Sequence, residues 1–228
     1  MIKKTITLIS ALLLLCFRPV TATEKNWQLS LDKNGVAVYT KPAENSVFDE
    51  FKGVVVVNAN IDVLEMILRD IPSFPLWMSG CKESPIIEKI DKNNYIFYFV
   101  QGLPWPLTDR DTALKAKAEF DRKNGFYSVN FHSVDDPRVP LRTGRIRMNM
   151  EGGFTLRRTD SDHTTVTFLI KANPGGAIPG IIANIFSREI PYETLLSMKD
   201  IAKEDKYINL AAERRLRSDS PEHTPEDQ

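Results

Sequence analysis

Neither sign of charge dominates this chain. Thirty lysines and arginines face thirty aspartates and glutamates in 228 residues, so the formal charge is zero. The basic excess that draws nucleic acid is missing, as is the acidic excess of a metal store. Histidine is scarce. His132, His163 and His223 stand far apart, and no H-x-x-x-H, Cys-His or G-x-S-x-G pattern occurs. Zinc chemistry and a nucleophile elbow therefore have no support. Cysteine is limited to Cys16 and Cys81. Cys81 reads as a small buried hydrophobe, the alternative being a reactive thiol of low pKa. Beyond the N-terminus no apolar run reaches the length of about 20 residues that spans a bilayer.

The N-terminus has one such run, and it is short. Lys3 and Lys4 precede twelve uncharged residues, Ile6 to Phe17, five of them leucine. Arg18 and Pro19 end the run, and Val20-Thr21-Ala22 supplies small residues for cleavage. This is the layout of a secretory signal peptide over residues 1–22, with a retained anchor as the alternative. The expected location is periplasmic or secreted. Cleavage leaves Cys81 alone, so no internal disulfide can form and stability rests on the core. Residues 23–212 suffice for one domain, which would bury roughly 70% of the surface of its unfolded chain. Residues 213–228 are almost free of apolar side chains and read as a disordered tail.

The folded part is expected to mix strands and helices. Asn34-Gly35 marks a turn before a strand at Val36–Tyr39, and Phe48–Val57 is a second strand, ending in four valines. Asn60 can cap a helix from Ile61 to about Asp70. The period then becomes two. Tyr95–Val100 is an apolar strand covered on both faces. Next, Thr112, Leu114, Ala116, Ala118 and Phe120 share one face, against Lys115, Lys117, Glu119 and Asp121 on the other. Asn124-Gly125 turns the chain into a strand over Phe126–Val134. Alternation at 145–150 and at 165–172 adds two more. Pro179 opens a final helix whose apolar face is expected to be Ile178, Ile181, Ile182, Ile185, Phe186 and Ile190. Pro191 is expected to kink or divide it before it ends near Ala212. Such a sheet closed by a helix can be packed solid, or small Ala116 and Ala118 can leave a cavity.

Four segments together resemble the START family, the steroidogenic-acute-regulatory-related lipid transfer domains. They are Trp27-x-Leu29 with Gly35-Val36-x-Val38-Tyr39-x-Lys41; Phe51-Lys52-Gly53 with Trp77 and Cys81 beyond; Pro104-Trp105-Pro106-Leu107-x-Asp109-Arg110-Asp111; and Asn173-Pro174-Gly175-Gly176-x-Ile178-Pro179, followed by Asn184, Pro191 and Thr194-Leu195. Their order covers residues 27 to about 202. The resemblance implies an α+β helix-grip fold, in which a curved antiparallel sheet wraps a long C-terminal helix around an apolar tunnel. It implies a lipid or other apolar ligand, passive transfer rather than catalysis, transient contact with a membrane, and no cofactor or metal. A helix-grip enzyme, cyclase or hydrolase, is the alternative. A monomer is expected. The ligand-facing set it implies is Trp77, Phe97, Phe99, Leu114, Ala116, Ala118, Ile146, Met148, Phe168, Ile170, Ile181, Ile182 and Ile185. The helix and the 133–143 loop are expected to gate the tunnel. The buried acid–base pair of some animal members has no counterpart in the uncharged strand 95–100. Arg110 reads as a clamp bridging its flanking aspartates, or as a contact to a lipid head group. Gly175-Gly176 reads as a hinge or as a tight turn.

Overall fold

The computed structural model describes residues 27–44, 46 and 48–219. The expected signal peptide lies outside the described residues, as does the chain after Asp219. β1 (Gln28–Lys33) and β2 (Val36–Lys41) form a hairpin across Asn34-Gly35, with φ of 54° and 76°. Both turn residues are thus left-handed, as a two-residue hairpin whose twist matches its strands requires. β3 (Glu50–Val57) buries Phe51, Gly53, Val55 and Val57 on one face. α1 (Ile61–Arg69) begins where the Asn60 side chain accepts a hydrogen bond from the Asp62 amide at 3.0 Å. A short 3-10 turn at Ile71–Leu76 leads to β4 (Cys81–Glu83), β5 (Ile86–Lys89) and β6 (Asn94–Gln101). The long β7 (Asp109–Asp121) pairs with β8 (Phe126–Val134). β9 (Arg145–Arg147), β10 (Asn149–Arg158) and β11 (Thr164–Asn173) complete the strands.

The strands make one sheet in the order β1-β2-β3-β11-β10-β8-β7-β6-β4, with β5 added to β6. All pairs are antiparallel except β9, which lies parallel to β7. The return of β11 to β3 joins the N-terminal strands to the rest. The sheet is open and curved, not a closed barrel. The alternating stretch at 145–150 is not one strand. It switches partner at Met148, whose amide donates to the Asp111 carbonyl at 3.0 Å, leaving β9 on β7 and β10 on β8 and β11.

α2 (Gly180–Ile201) lies in the curve of the sheet. It runs through Pro191 without dividing. The break falls instead at 202–204, and α3 (Asp205–Asp219) follows. The expected tail is therefore partly helix. Arg214 Nη1 lies 2.7 Å from buried Glu65, and Arg215 pairs with Asp62, so charges on α1 hold the last helix. Tyr207 and Ala211 complete its seat in the core.

The side of α2 that meets the sheet is only partly the expected face: Ile178 is buried and Ile190 lines the core, but Ile181 and Ile185 are exposed. Its buried positions are Ala183, Ser187, Pro191, Tyr192, Thr194, Leu195, Met198 and Ile201. Small side chains let the helix approach closely, so they win the inward positions over isoleucine. At Gly53 the approach is closest: a β-carbon there would stand 2.6 Å from Leu195 Cδ1 and 3.3 Å from Pro191 Cβ. Two predictions follow from this packing. Gly53→Ala forces Leu195 aside and should lower the unfolding free energy in urea by about 1–3 kcal/mol; an unchanged midpoint refutes the close contact. Cys81 is buried in the main core, and burial pushes its thiol up to about 12. A disulfide reagent at pH 8 should modify it only after denaturation, and rapid labelling of native protein would contradict its placement.

Candidate ligand cavity

The concave face of the sheet carries the even-numbered residues of β7 and their neighbours across the ladder. Parity explains the selection, because successive side chains of a strand point to opposite faces. β7 places Arg110, Leu114, Ala116 and Ala118 inward; β6 adds Phe97, Phe99 and Gln101; β11 adds Phe168, Ile170 and Ala172. Beside the middle of α2, at Ile190, these surfaces do not close. They bound a hollow of about 80 Å³. Phe48, Leu103, Pro174 and Ile190 complete its wall from the loops and the helix.

A second, smaller hollow lies further in. It is lined by Ala116, Ala118, Val129 and Phe154, and by Leu68 and Arg69 of α1. Phe74, Phe97 and Phe131 line both hollows and so form the partition between them. Phe74 and Phe97 meet edge to face at 6.2 Å. Such pairs are held by quadrupole attraction of about 1 kcal/mol, which a ligand can displace.

The expected ligand-facing residues divide into three groups. Phe97, Phe99, Leu114, Met148, Phe168 and Ile170 line the main hollow. Ala116 and Ala118 line the inner one. The others do neither. Trp77 is buried between Phe74 and Phe154, with ring centroids 5.5 and 6.1 Å away. Ile146 packs beneath the Gly175-Gly176 turn. Ile182 joins a separate small cluster with Phe48, Ile178, Ala183, Leu103, Leu107 and Phe186. Ile181 is 79% exposed and Ile185 42%. They point outward because Ala183 and Ser187 occupy the inner side of the same turns. Phe51 and Phe131 also line the main hollow, each in the phase of its strand, as do Met150 and Phe74, the last of which no strand period could reveal.

Arg110 is a clamp at the start of β7, as one reading has it, but its partners are carbonyls and not carboxylates. It bridges no aspartate. Its guanidinium donates to the carbonyls of Thr108, of Pro174 at 3.3 Å and of Gly175 at 3.4 Å. Asp109 and Asp111, one residue away on each side, face outward. Asp109 takes Lys82 Nζ at 2.9 Å, and Asp111 takes Arg147 Nε at 2.8 Å and the Tyr98 hydroxyl at 2.8 Å. Burial, with the bond to Asp111, raises the Tyr98 phenol above its ordinary pKa. The same Arg147 reaches the Val139 and Pro140 carbonyls at 3.1 and 3.3 Å, tying down the 133–143 loop. Val139 is buried against Tyr98, Val100 and Ala113. Among the described residues no cluster of three histidine, cysteine or acidic side chains could hold a metal ion. No helix there is long and apolar enough to cross a membrane.

Comparison with known proteins agrees with this geometry. The START domain family model matches residues 10–194. A STAR-related lipid transfer protein fragment from Xanthomonas axonopodis is 31% identical, with a TM-score of 0.70 over 79% of this chain and 100% of that one. An uncharacterized protein of Pseudomonas aeruginosa is 27% identical over 80% of this chain and 89% of its own length. Mouse phosphatidylcholine transfer protein is 26% identical over 71% of this chain and 77% of its own. The sheet, the helix lying in its curve and the hollow between them are the fold of that family, and this chain belongs to the START domain family.

Proposed function

We propose that this protein binds one lipid or other apolar molecule between the sheet and α2, and carries it between membranes without transforming it. The observation that carries the reading is the apolar hollow between the sheet and α2 at Ile190. Its polar lining is limited to Ser79, Gln101 and Arg110. None of these is a ready general acid or base at neutral pH, which favours carriage over a cyclase or hydrolase. The relatives named for lipid transfer support the same reading.

The free space is small for a lipid, so uptake has to displace the wall. Rotation of the Phe74, Phe97 and Phe131 rings would join the two hollows. Each methylene buried contributes about 0.8 kcal/mol, so a chain of ~16 carbons supplies on the order of 10 kcal/mol toward that rearrangement. The gate is formed by α2 with the 133–143 loop, and α2 is the part that moves. Its C-terminal half is locked to β3 at Gly53, whereas its first turns rest on the satellite cluster around Phe48. The outward Ile181 and Ile185, with Trp105 at 92% exposure, supply apolar contact to a membrane surface. The N-terminal segment directs export, and the carrier works as a monomer in the periplasm or outside the cell.

Native mass spectrometry of protein purified from its own compartment should show one lipid per chain and a mature N-terminus after Ala22. A chain that is consistently empty, and whose hollow takes up no apolar dye, opposes the reading. Ala116→Trp fills the inner hollow and should shorten the acyl chain retained or reduce its stoichiometry. Ile181→Asp should slow transfer between vesicles at least about fivefold while leaving equilibrium lipid binding intact; equal rates exclude this face as the membrane contact.

A further inference from the structure

Arg110 is a buried cation in an apolar cavity, and Asp109, which acts on it only through space, makes no ion pair with it. Its side chain lines the hollow and the residue is 1% exposed. Among the described residues no carboxylate forms an ion pair with it: Asp109 and Asp111 are turned to the other face of β7 and engaged there by Lys82, Arg147 and Tyr98. Its partners are three backbone carbonyls, all neutral. A guanidinium has five N–H groups, so two remain available. A charge held in a low-dielectric site with neutral partners alone is costly, and the site gains most from a group that brings the opposite charge.

We propose that Arg110 is the head-group site of this cavity and that the ligand is an amphiphile ending in an anionic oxygen group, a carboxylate or a phosphate. The proposal rests on the cavity being a lipid site. Planar guanidinium and oxyanion match in a two-point arrangement, and such charge-assisted bonds are about twice as strong as neutral ones. Gln101, the ladder partner of Arg110, and Ser79 beside it add neutral polar surface to the same end of the hollow. The remaining lining suits the tail. The bonds to Pro174 and Gly175, at 3.3 and 3.4 Å, exceed the ordinary 2.9–3.0 Å. They are the ones an incoming anion displaces most easily. Both carbonyls belong to the turn that leads from β11 to α2, so occupation of the head-group site loosens the turn that leads into the gating helix.

The test compares ligands with one tail and different heads. Dodecanoate, dodecyl phosphate and dodecanol are titrated against Nile red bound to the protein. The apolar contribution is the same for all three. One or both anions should displace the dye at least about tenfold more effectively than the alcohol. Preference for the phosphate identifies a phospholipid head as the source, and preference for the carboxylate a free fatty acid. Arg110→Gln should bring the ratio of anion to alcohol close to one, with dodecanol affinity within about threefold of wild type. Arg110→Lys should retain part of the preference. Circular dichroism and thermal melting verify folding of both variants. If neither folds, the wild-type ratio decides alone. Equal displacement by the anions and the alcohol overturns the Arg110 assignment and leaves the lipid cavity standing, whereas failure of Nile red and all three ligands to bind overturns both.

Discussion

Leu195 occupies space that a β-carbon on residue 53 would claim, and this contact sets the position of α2. A helix laid on a sheet usually keeps a full layer of side chains between the two backbones. Glycine on β3 removes that layer at one point, and the Pro191 ring and Leu195 drop into the gap. Met198 and Ile201 then continue into the main core. The C-terminal half of α2 is thereby held close. The hollow lies between the sheet and the middle of the helix at Ile190, and much of its wall is furnished by aromatic side chains.

The two ends of the helix are secured by different physics. Beyond its C-terminus, α3 is fixed by Tyr207 and Ala211 in the core and by ion pairs to α1. Glu65 is fully buried and has both Arg69 and Arg214 at 2.7 Å. Removing either partner from a buried carboxylate of this kind costs several kcal/mol, because desolvation is no longer compensated. At the N-terminus the helix follows a turn with two adjacent left-handed glycines, φ 61° at each. That turn is held by the long bonds from Arg110 and by the carbonyl-side packing of Ile146.

Charge is arranged with the same economy. The outer face of β7 and β9 carries a connected set of Glu83, Arg145, Tyr98, Asp111 and Arg147. These groups satisfy one another, and Arg147 extends the set to the loop over 133–143. Arg110 stands apart on the inner face. One strand therefore separates a neutralised network from a cation that forms no ion pair, by the alternation of its side chains.

Local chemistry made much of the fold legible. Asn34-Gly35, the Asn60 cap, the alternation of residues 112–121 and the order of the START segments each depend on near neighbours in the chain, and the structure agrees with them. The inward phase of Arg110 was equally available, since residues 110, 112, 114, 116 and 118 share a parity. Tertiary structure alone decided the rest. Ile181 and Ile185 were assigned inward because they are apolar, yet distance to the sheet favoured Ala183 and Ser187. Pro191 was expected to kink or divide the helix, yet the helix continues through it, packed on Gly53, and the division falls at 202–204. Residues from Glu213 looked unstructured by composition, yet Arg214 and Arg215 found buried acids on α1. In each case the deciding partner lies far away in sequence, where no period or motif can announce it.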